Sequence, residues 1–494
     1  MSTGQTVYPV PRGISPVSID GPLSGFGELQ TTSPHPTGQV AFIYNLNPLL
    51  VTTDVYGAGS SVSSSNGEAV MSSGTAVDGY ARLVSKKVAK YRAGQATLGR
   101  WTARFTAGST GNRQMAGVYN IEAGYQFGYS GTTFGILYTE SATVEVQTLT
   151  ITTKAGSATN VTVTLDAGTP VVVPVTNGAN TSVTAAEIAA GNYSNTAGGW
   201  DAEAIGNVVY FTRKLAGPAG ASTFNAGTSG AVGAFATLTA GVAPTEQFIA
   251  QSTWNGSVPA GFDPTKGNVY GVQFQYLGYG DAFFYIEDGS TGRFMLVHTI
   301  RNANTRTSTN LRNPNLYLTW ESRNTGTGTS VTMYGASGGT FVEGPIEFLG
   351  AQFAVTATKS IGAGAETPVL SLRGSTVHQN RQSTAQLQID RFSVACDGTK
   401  TVDFKVYKNA TLTAPQFARV NANTSAADYD SAATGFMLGA GAQVYSFSVN
   451  KTGNTTESVT DLALFMQAGD TLTITAYSVN ASDVSASIIW VEDI

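Results

Sequence analysis

At 494 residues with 41% hydrophobic side chains, the chain can bury more than one core and lies outside the composition of disordered proteins. Only 12% of residues are charged and the formal net charge is −5, which argues against general nucleic-acid binding, because that needs a basic footprint to displace counterions. The 57 glycines and the scarcity of Lys and Glu favour strands and tight turns over helices, and a single cysteine, Cys396, excludes an intrachain disulfide framework.

Residues 1–51 carry seven of the 17 prolines and few charges. Proline fixes φ and removes a backbone donor, so this stretch is expected to be an extended N-terminal docking arm that forms no sheet. The opening MSTGQTVYPVPRG lacks a basic segment followed by an apolar one, so the expectation is synthesis in a cytoplasm without a secretory signal. No apolar run approaches the roughly 18 residues of a membrane span.

From residue 52 the pattern alternates. Trp101, Ala103 and Phe105 face one way and Thr102, Arg104 and Thr106 the other, as in a half-buried strand. GYQFGYSGTTFGILYTE (124–140) reads as short strands around a tight turn at Ser130-Gly131. Between 146 and 245 the composition shifts to Ala, Thr, Val and Gly, with the clearest helix signal of the chain at Thr184–Ala190, where Thr184 and Glu187 have capping-box spacing. The aromatic, alternating style returns afterwards in Tyr270, Val272, Phe274 and Tyr276, and in Leu316, Leu318 and Trp320. After 352 come further alternating segments, among them Ala385, Leu387 and Ile389, whose phase slips to Phe392 and Val394 as at a bulge.

The fold class expected is therefore all-β: β-sandwich or jelly-roll domains with one small β-rich inserted domain containing a short helix. The boundaries are 1–51 for the arm, 52–145 plus 246–351 for a split sandwich, 146–245 for the insertion, and 352–494 for a C-terminal jelly roll.

Several segments resemble viral structural proteins. FGYSGTTFGILY (127–138), WNGS with GNVYGVQFQYLGYGDAFFYIED (254–288) and VHTIRNANTRTSTNLRNPNLYLTWESRNTG (297–326) are similar to stretches in proteins of phages and other large DNA viruses, and the insertion resembles modules of phage tail proteins. LFMQAGDTLTITAYS (464–478) resembles the Gly-Asp turn before a late strand in jelly rolls of the tumour-necrosis-factor and complement C1q type. The resemblance implies a virion structural protein of a phage tail, collar or fibre, or one attached to a capsid. It also implies other virion proteins as partners, homotrimeric assembly, and location in the virion after synthesis in a host cytoplasm. A second reading is a receptor-binding adhesin for host-surface glycan; a third is a polysaccharide depolymerase.

Enzyme chemistry finds little support. Gly335-Ala336-Ser337-Gly338-Gly339 matches the nucleophile-elbow pattern, but strand-like flanks replace the required strand-to-helix turn, so a simple turn is expected. His35, His298 and His378 fall in three distant segments. Asp281, Glu287, Asp288 and Glu321 show no spacing that would pair them across a sugar, and Asp428-Tyr429-Asp430 lacks a full calcium ligand set. No enzyme and no cofactor are expected. Two binding features stand out. Arg82, Lys86, Lys87, Lys90, Arg92, Arg100 and Arg104 lie in a stretch without any acid, suited to an acidic protein neighbour or to an anion. Ile488, Ile489, Trp490 and Val491 place apolar side chains on both faces of one strand, suited to a core and an oligomer contact. Tyr125, Tyr129, Tyr276, Tyr279 and Phe284 are either sugar platforms or core.

Overall fold

Alternation of apolar and polar residues sends one side of most strands into a core. The computed structural model describes residues 33–326, 328–344, 350–439, 441–462 and 464–493, and among these it has antiparallel ladders and one α-helix. The protein is all-β, and the described residues form three hydrophobic cores.

The first core lies between two sheets. One runs Arg293–Ile300, Ala282–Asp288, Asn268–Phe274, Thr97–Phe105, and then Thr332–Gly335. The other runs Gly124–Ser130, Asn112–Tyr119, Leu316–Asn324, Tyr80–Ala89, Val51–Tyr56. Trp101, Ala103 and Phe105 are buried between them, and Trp101 stacks on Tyr270 with ring centroids 6.3 Å apart. Tyr125 and Phe284 are fully buried in this core, which removes them as sugar platforms; Tyr129 and Tyr276 pack against it and Tyr279 is exposed. Such aromatic pairs add stabilisation beyond their buried area, about 0.5–1.5 kcal/mol each.

Residues 34–41 correct the expectation of a sheet-free arm. Pro34–Ala41 pairs with Ser337–Glu343 at a sheet edge, with an irregularity between Pro36 and Gly38. An edge position tolerates proline because no ladder partner is needed on its outer side. The remainder of the expected arm, residues 1–32, lies outside the described residues.

The strand Thr133–Thr153 is 21 residues long, about 70 Å at the usual rise per residue. Its first half pairs with Gly124–Ser130 and Val242–Ala250; its second half pairs with Val208–Ala216 and Val232–Thr239. One strand thus serves both the sandwich and the second core, which gathers Leu149, Val161, Val173, Ile188, Trp200 and Phe211. The helix here spans Thr181–Ala189, with its cap four residues earlier than the capping-box spacing suggested. Asn180 is the cap, accepting from the Val183 N–H at 3.0 Å. Thr184 is buried and its hydroxyl accepts from the Ala155 N–H, while Glu187 accepts from the Thr176 N–H. Both side chains fix the helix to neighbouring strands instead of capping it.

The third core is a two-sheet sandwich. One sheet runs Ala351–Ile361, Ser482–Asp493, Gln386–Asp397, Gly453–Ser458, and the register shifts between Ile389 and Arg391, where the alternation changes phase. The facing sheet carries Thr367–Gly374, Thr471–Tyr477 and Val402–Lys408 at its centre. Residues 335–339 are extended chain and not a turn: one strand ends at Gly335 and the next starts at Ser337. A Cβ on Gly335 would come within 2.6 Å of the Trp320 indole, so the glycine is there for ring packing.

Candidate functional site

The outer face of the Tyr80–Ala89 strand is where the three units meet. Ala81 and Leu83 point into the sandwich core, which turns Arg82 and Lys86 outward, toward the other two units. Arg82 pairs across the ladder with Glu321 at 2.5 Å and donates to the Lys214 carbonyl at 3.1 Å. Burial alone would lower the Arg82 pKa, but Glu321 beside it, with Tyr80 and Asp54, holds it above its ordinary value. Lys214 of the insertion reaches Asp54 of the sandwich at 2.6 Å and Asp201 at 3.0 Å.

The rest of the basic run divides into two sets. Lys86 meets Asp470 of the C-terminal unit at 2.8 Å, Lys87 lies over the Phe465 ring, and Arg92 meets Asp493 at 3.1 Å. Lys90 is buried and donates to the Thr384 carbonyl; burial first, then Arg92, push its pKa down to about 8 against the pull of Asp493. Arg100 and Arg104 stay within the sandwich, over Phe294 and Tyr334, with Arg104 also pairing with Glu68 at 2.7 Å. Residues 82–92 are therefore joined to acids, carbonyls and rings of the same chain, and they are not an open anion-binding patch.

A second polar knot joins the insertion to the C-terminal unit. Glu203 accepts from the Ser375 hydroxyl at 2.7 Å and the Thr376 N–H at 3.0 Å, and Arg373 donates to the Ala204 carbonyl at 2.9 Å. Asp428, fully buried, holds Arg373 at 3.0 Å and Arg419 at 3.1 Å. Burial, and then Glu203, push the Asp428 carboxyl up to about 6 despite the two arginines. This arrangement replaces the weighed calcium turn, since Asp430 accepts backbone N–H groups of Gln416, Ala432 and Ala433.

Between these contacts the outer face of the sandwich sheet, the insertion and the C-terminal loops enclose a cavity of about 540 Å³. Its wall includes Tyr119, Glu122 and Tyr317 of the sandwich, Ala202 and Thr212 of the insertion, and Gln467 of the C-terminal unit. Sequence reading did not find this site, because its wall comes from many separated segments. One signal was present: in so weakly charged a chain, charges set inside strand patterns, such as Glu203, Lys214 and Asp428, mark paired positions.

The other candidates stay apart. The buried His298 accepts from the Asn255 N–H, and burial lowers the pKa of both His298 and His378; His35 is exposed on the edge strand. Asp281 pairs with Arg301, Asp288 accepts from Ser290 and Thr291, and Glu321 belongs to Arg82. Among the described residues no three His, Cys, Asp or Glu side chains are grouped to hold a metal ion.

At the far side of the C-terminal unit, Ile488 and Trp490 fill the core, while Ile489 and Val491 are half-buried on the opposite face. On that outer face Ile489 pairs with Ala354 and Arg391, Ser487 with Thr356 and Ser393, and Ser485 with Thr358 and Ala395. The face is apolar and hydroxyl-bearing, with Arg391 beside Ile489 and with Asp397 and Asp483 toward one end.

No family model matches this chain, and no curated protein matches it. Among solved structures it is similar to that of "The Triple Jelly Roll Fold and Turret Assembly in an Archaeal Virus", at 8% identity over 90% of this chain and 88% of that one, with a TM-score of 0.16. It is also similar to that of "Life in the extremes: atomic structure of Sulfolobus Turreted Icosahedral Virus", at 8% identity over 94% of this chain and 98% of that one, with a TM-score of 0.16.

Proposed function

We propose that the chain is a structural subunit of a virus particle, acting through protein–protein contact, with other copies of itself as its first partners. The observation that carries this reading is the outer face of the C-terminal sheet. It is bounded by Ala351–Ile361, an 11-residue edge strand that among the described residues pairs on one side only, with Ser482–Asp493. Natural proteins blunt exposed edges with charge, proline or bulges. Here the only charged side chain of the edge, Lys359, is occupied with the carbonyls of Pro368 and Ala433. The Ser485–Ser487 stretch and its neighbours on the edge strand present hydroxyl and small side chains, Arg391 beside Ile489 is paired with Asp390, and Ile489 and Val491 add apolar area.

The segments similar to viral structural proteins support the particle as the setting, and the Gly-Asp turn at 469–470 supports three copies around an axis. Sedimentation of the full chain tests the association. A concentration-dependent rise to the trimer mass supports the reading, and Thr356→Lys together with Ile489→Asp should return the monomer. A wild-type chain that stays monomeric at about 100 μM, well above the dissociation constants of stable assemblies, contradicts it.

A further inference from the structure

We propose that the cavity between the three units is a binding site for a neutral, hydroxyl-rich small molecule of saccharide type. Its volume of about 540 Å³ is that of a small-molecule site, and domain junctions are where such sites concentrate.

Most of the charges around it are already paired and so disfavour an ionic ligand, while Arg323 adds a buried Nε without a hydrogen-bond partner. Arg82 is held by Glu321, Lys86 by Asp470, Arg113 by Glu246, and Lys214 by Asp54 and Asp201. An ion entering here would have to take one member of such a pair and strand the other away from water. A neutral ligand leaves every pair intact.

The unpartnered polar atoms ask for a ligand that both donates and accepts. Tyr119 Oη, Glu122 Oε1, Thr212 Oγ1 and both amide atoms of Gln467 are buried without a hydrogen-bond partner, and these residues all line the cavity. They come from all three units, so this is no defect of a single loop. Buried polar atoms are normally satisfied, and a cluster that is not marks a place for water or for a ligand. A sugar hydroxyl is donor and acceptor in one group and meets such a mixed wall at successive positions. The same wall offers the rings of Tyr119 and Tyr317 and the apolar side chains of Met115 and Leu137, suited to the C–H face of a pyranose. The inference stands apart from the particle reading, since it requires only the three units of one chain.

The test is calorimetric titration of the full chain with maltose, lactose and N,N′-diacetylchitobiose, with citrate as the charged control. Saturable binding of at least one disaccharide and none of citrate is expected. Gln467→Leu and Ala202→Trp, which remove the amide and fill the cavity from opposite units, should each weaken binding by about tenfold or more, as loss of a buried hydrogen bond does. Hydrogen exchange on the wild-type chain gives a readout free of any folding defect in the variants. Added disaccharide should slow exchange in 113–119, 317–323 and 467–470. Failure of all three disaccharides to bind, preference for citrate, undiminished binding by both variants, or protection confined to other segments would each overturn the proposal.

Discussion

The Lys86 ammonium lies 2.8 Å from a carboxylate oxygen of Asp470, although 384 residues separate the two in the chain. Asp470 sits in the turn after Gln467, where it also meets Lys408 at 3.1 Å and accepts from Asn409 at 3.0 Å. Burial alone would raise its pKa; Lys408 and Lys86 hold it below the ordinary carboxylate value. The carboxylate is thus fixed within its own unit before it receives the lysine of the other.

Removing the two partners should therefore have unequal effects. Asp470→Ala leaves Lys408 and Lys86 both without their anion and should cost about 3 kcal/mol in chemical denaturation. Lys86→Ala leaves Asp470 paired and should cost about 1 kcal/mol. The double variant should fall short of the sum, because the two residues act on one contact. Strict additivity would remove Lys86–Asp470 as the pin between the units.

Gly335→Ala should destabilise the sandwich by about 1–3 kcal/mol, since the new Cβ would press on the Trp320 indole at 2.6 Å in a core that cannot yield freely. Trp320 fluorescence reports the same change directly, as a shifted emission maximum in the folded state. A variant as stable as the wild type, with unshifted emission, would contradict the packing described.

Asp428 makes a pH-dependent contribution whose sign is set by its raised pKa of about 6. In the unfolded chain an aspartate titrates near 4, so between about pH 6 and pH 4 the folded protein binds the extra proton. Stability from this group rises as pH falls through that window and is lost as pH rises through about 6. Glu203, Arg373, Arg419 and the nearby His378 act on the same knot, so the informative quantity is the difference between wild type and Asp428→Asn. On acidification from pH 7 to pH 4 the wild type should gain on the order of 2 kcal/mol relative to the variant. A difference that is flat with pH, or of opposite sign, contradicts the assignment.

The insertion should be removable where its two connecting strands already pair. Thr143 is the register partner of Val242, so replacing 144–241 by Asn-Gly would close a two-residue hairpin at that point. The shortened chain is expected to be soluble and cooperative, with a lower melting temperature, because Arg373 and Asp54 lose Ala204 and Lys214. Insolubility of this variant beside a soluble full chain would place the boundary elsewhere.

Local physics was legible in the residues themselves. Strand alternation put Trp101 and Phe105 in a core, and the phase change after Ile389 marked a register shift. The helix was legible in position but not in its cap, because Asn180 and Thr184 compete for the same signal and burial of Thr184 decided it. The docking of the units was not legible. Arg82 to Arg92 read as an outward patch because composition says nothing about which distant acid meets a lysine, and the partners Glu321, Asp470 and Asp493 lie hundreds of residues away. For the same reason the cavity, whose wall exists only after three units close on one another, was legible in no single segment beyond the charges set inside strand patterns.

The central claim is that this chain is built into a virus particle. Particles from the source that carries its gene should be banded by density and their proteins quantified by mass spectrometry. The account predicts this chain in the particle band at a fixed, multi-copy ratio to the other structural proteins. Its presence only in the soluble cell fraction, with none in the band, would contradict the claim.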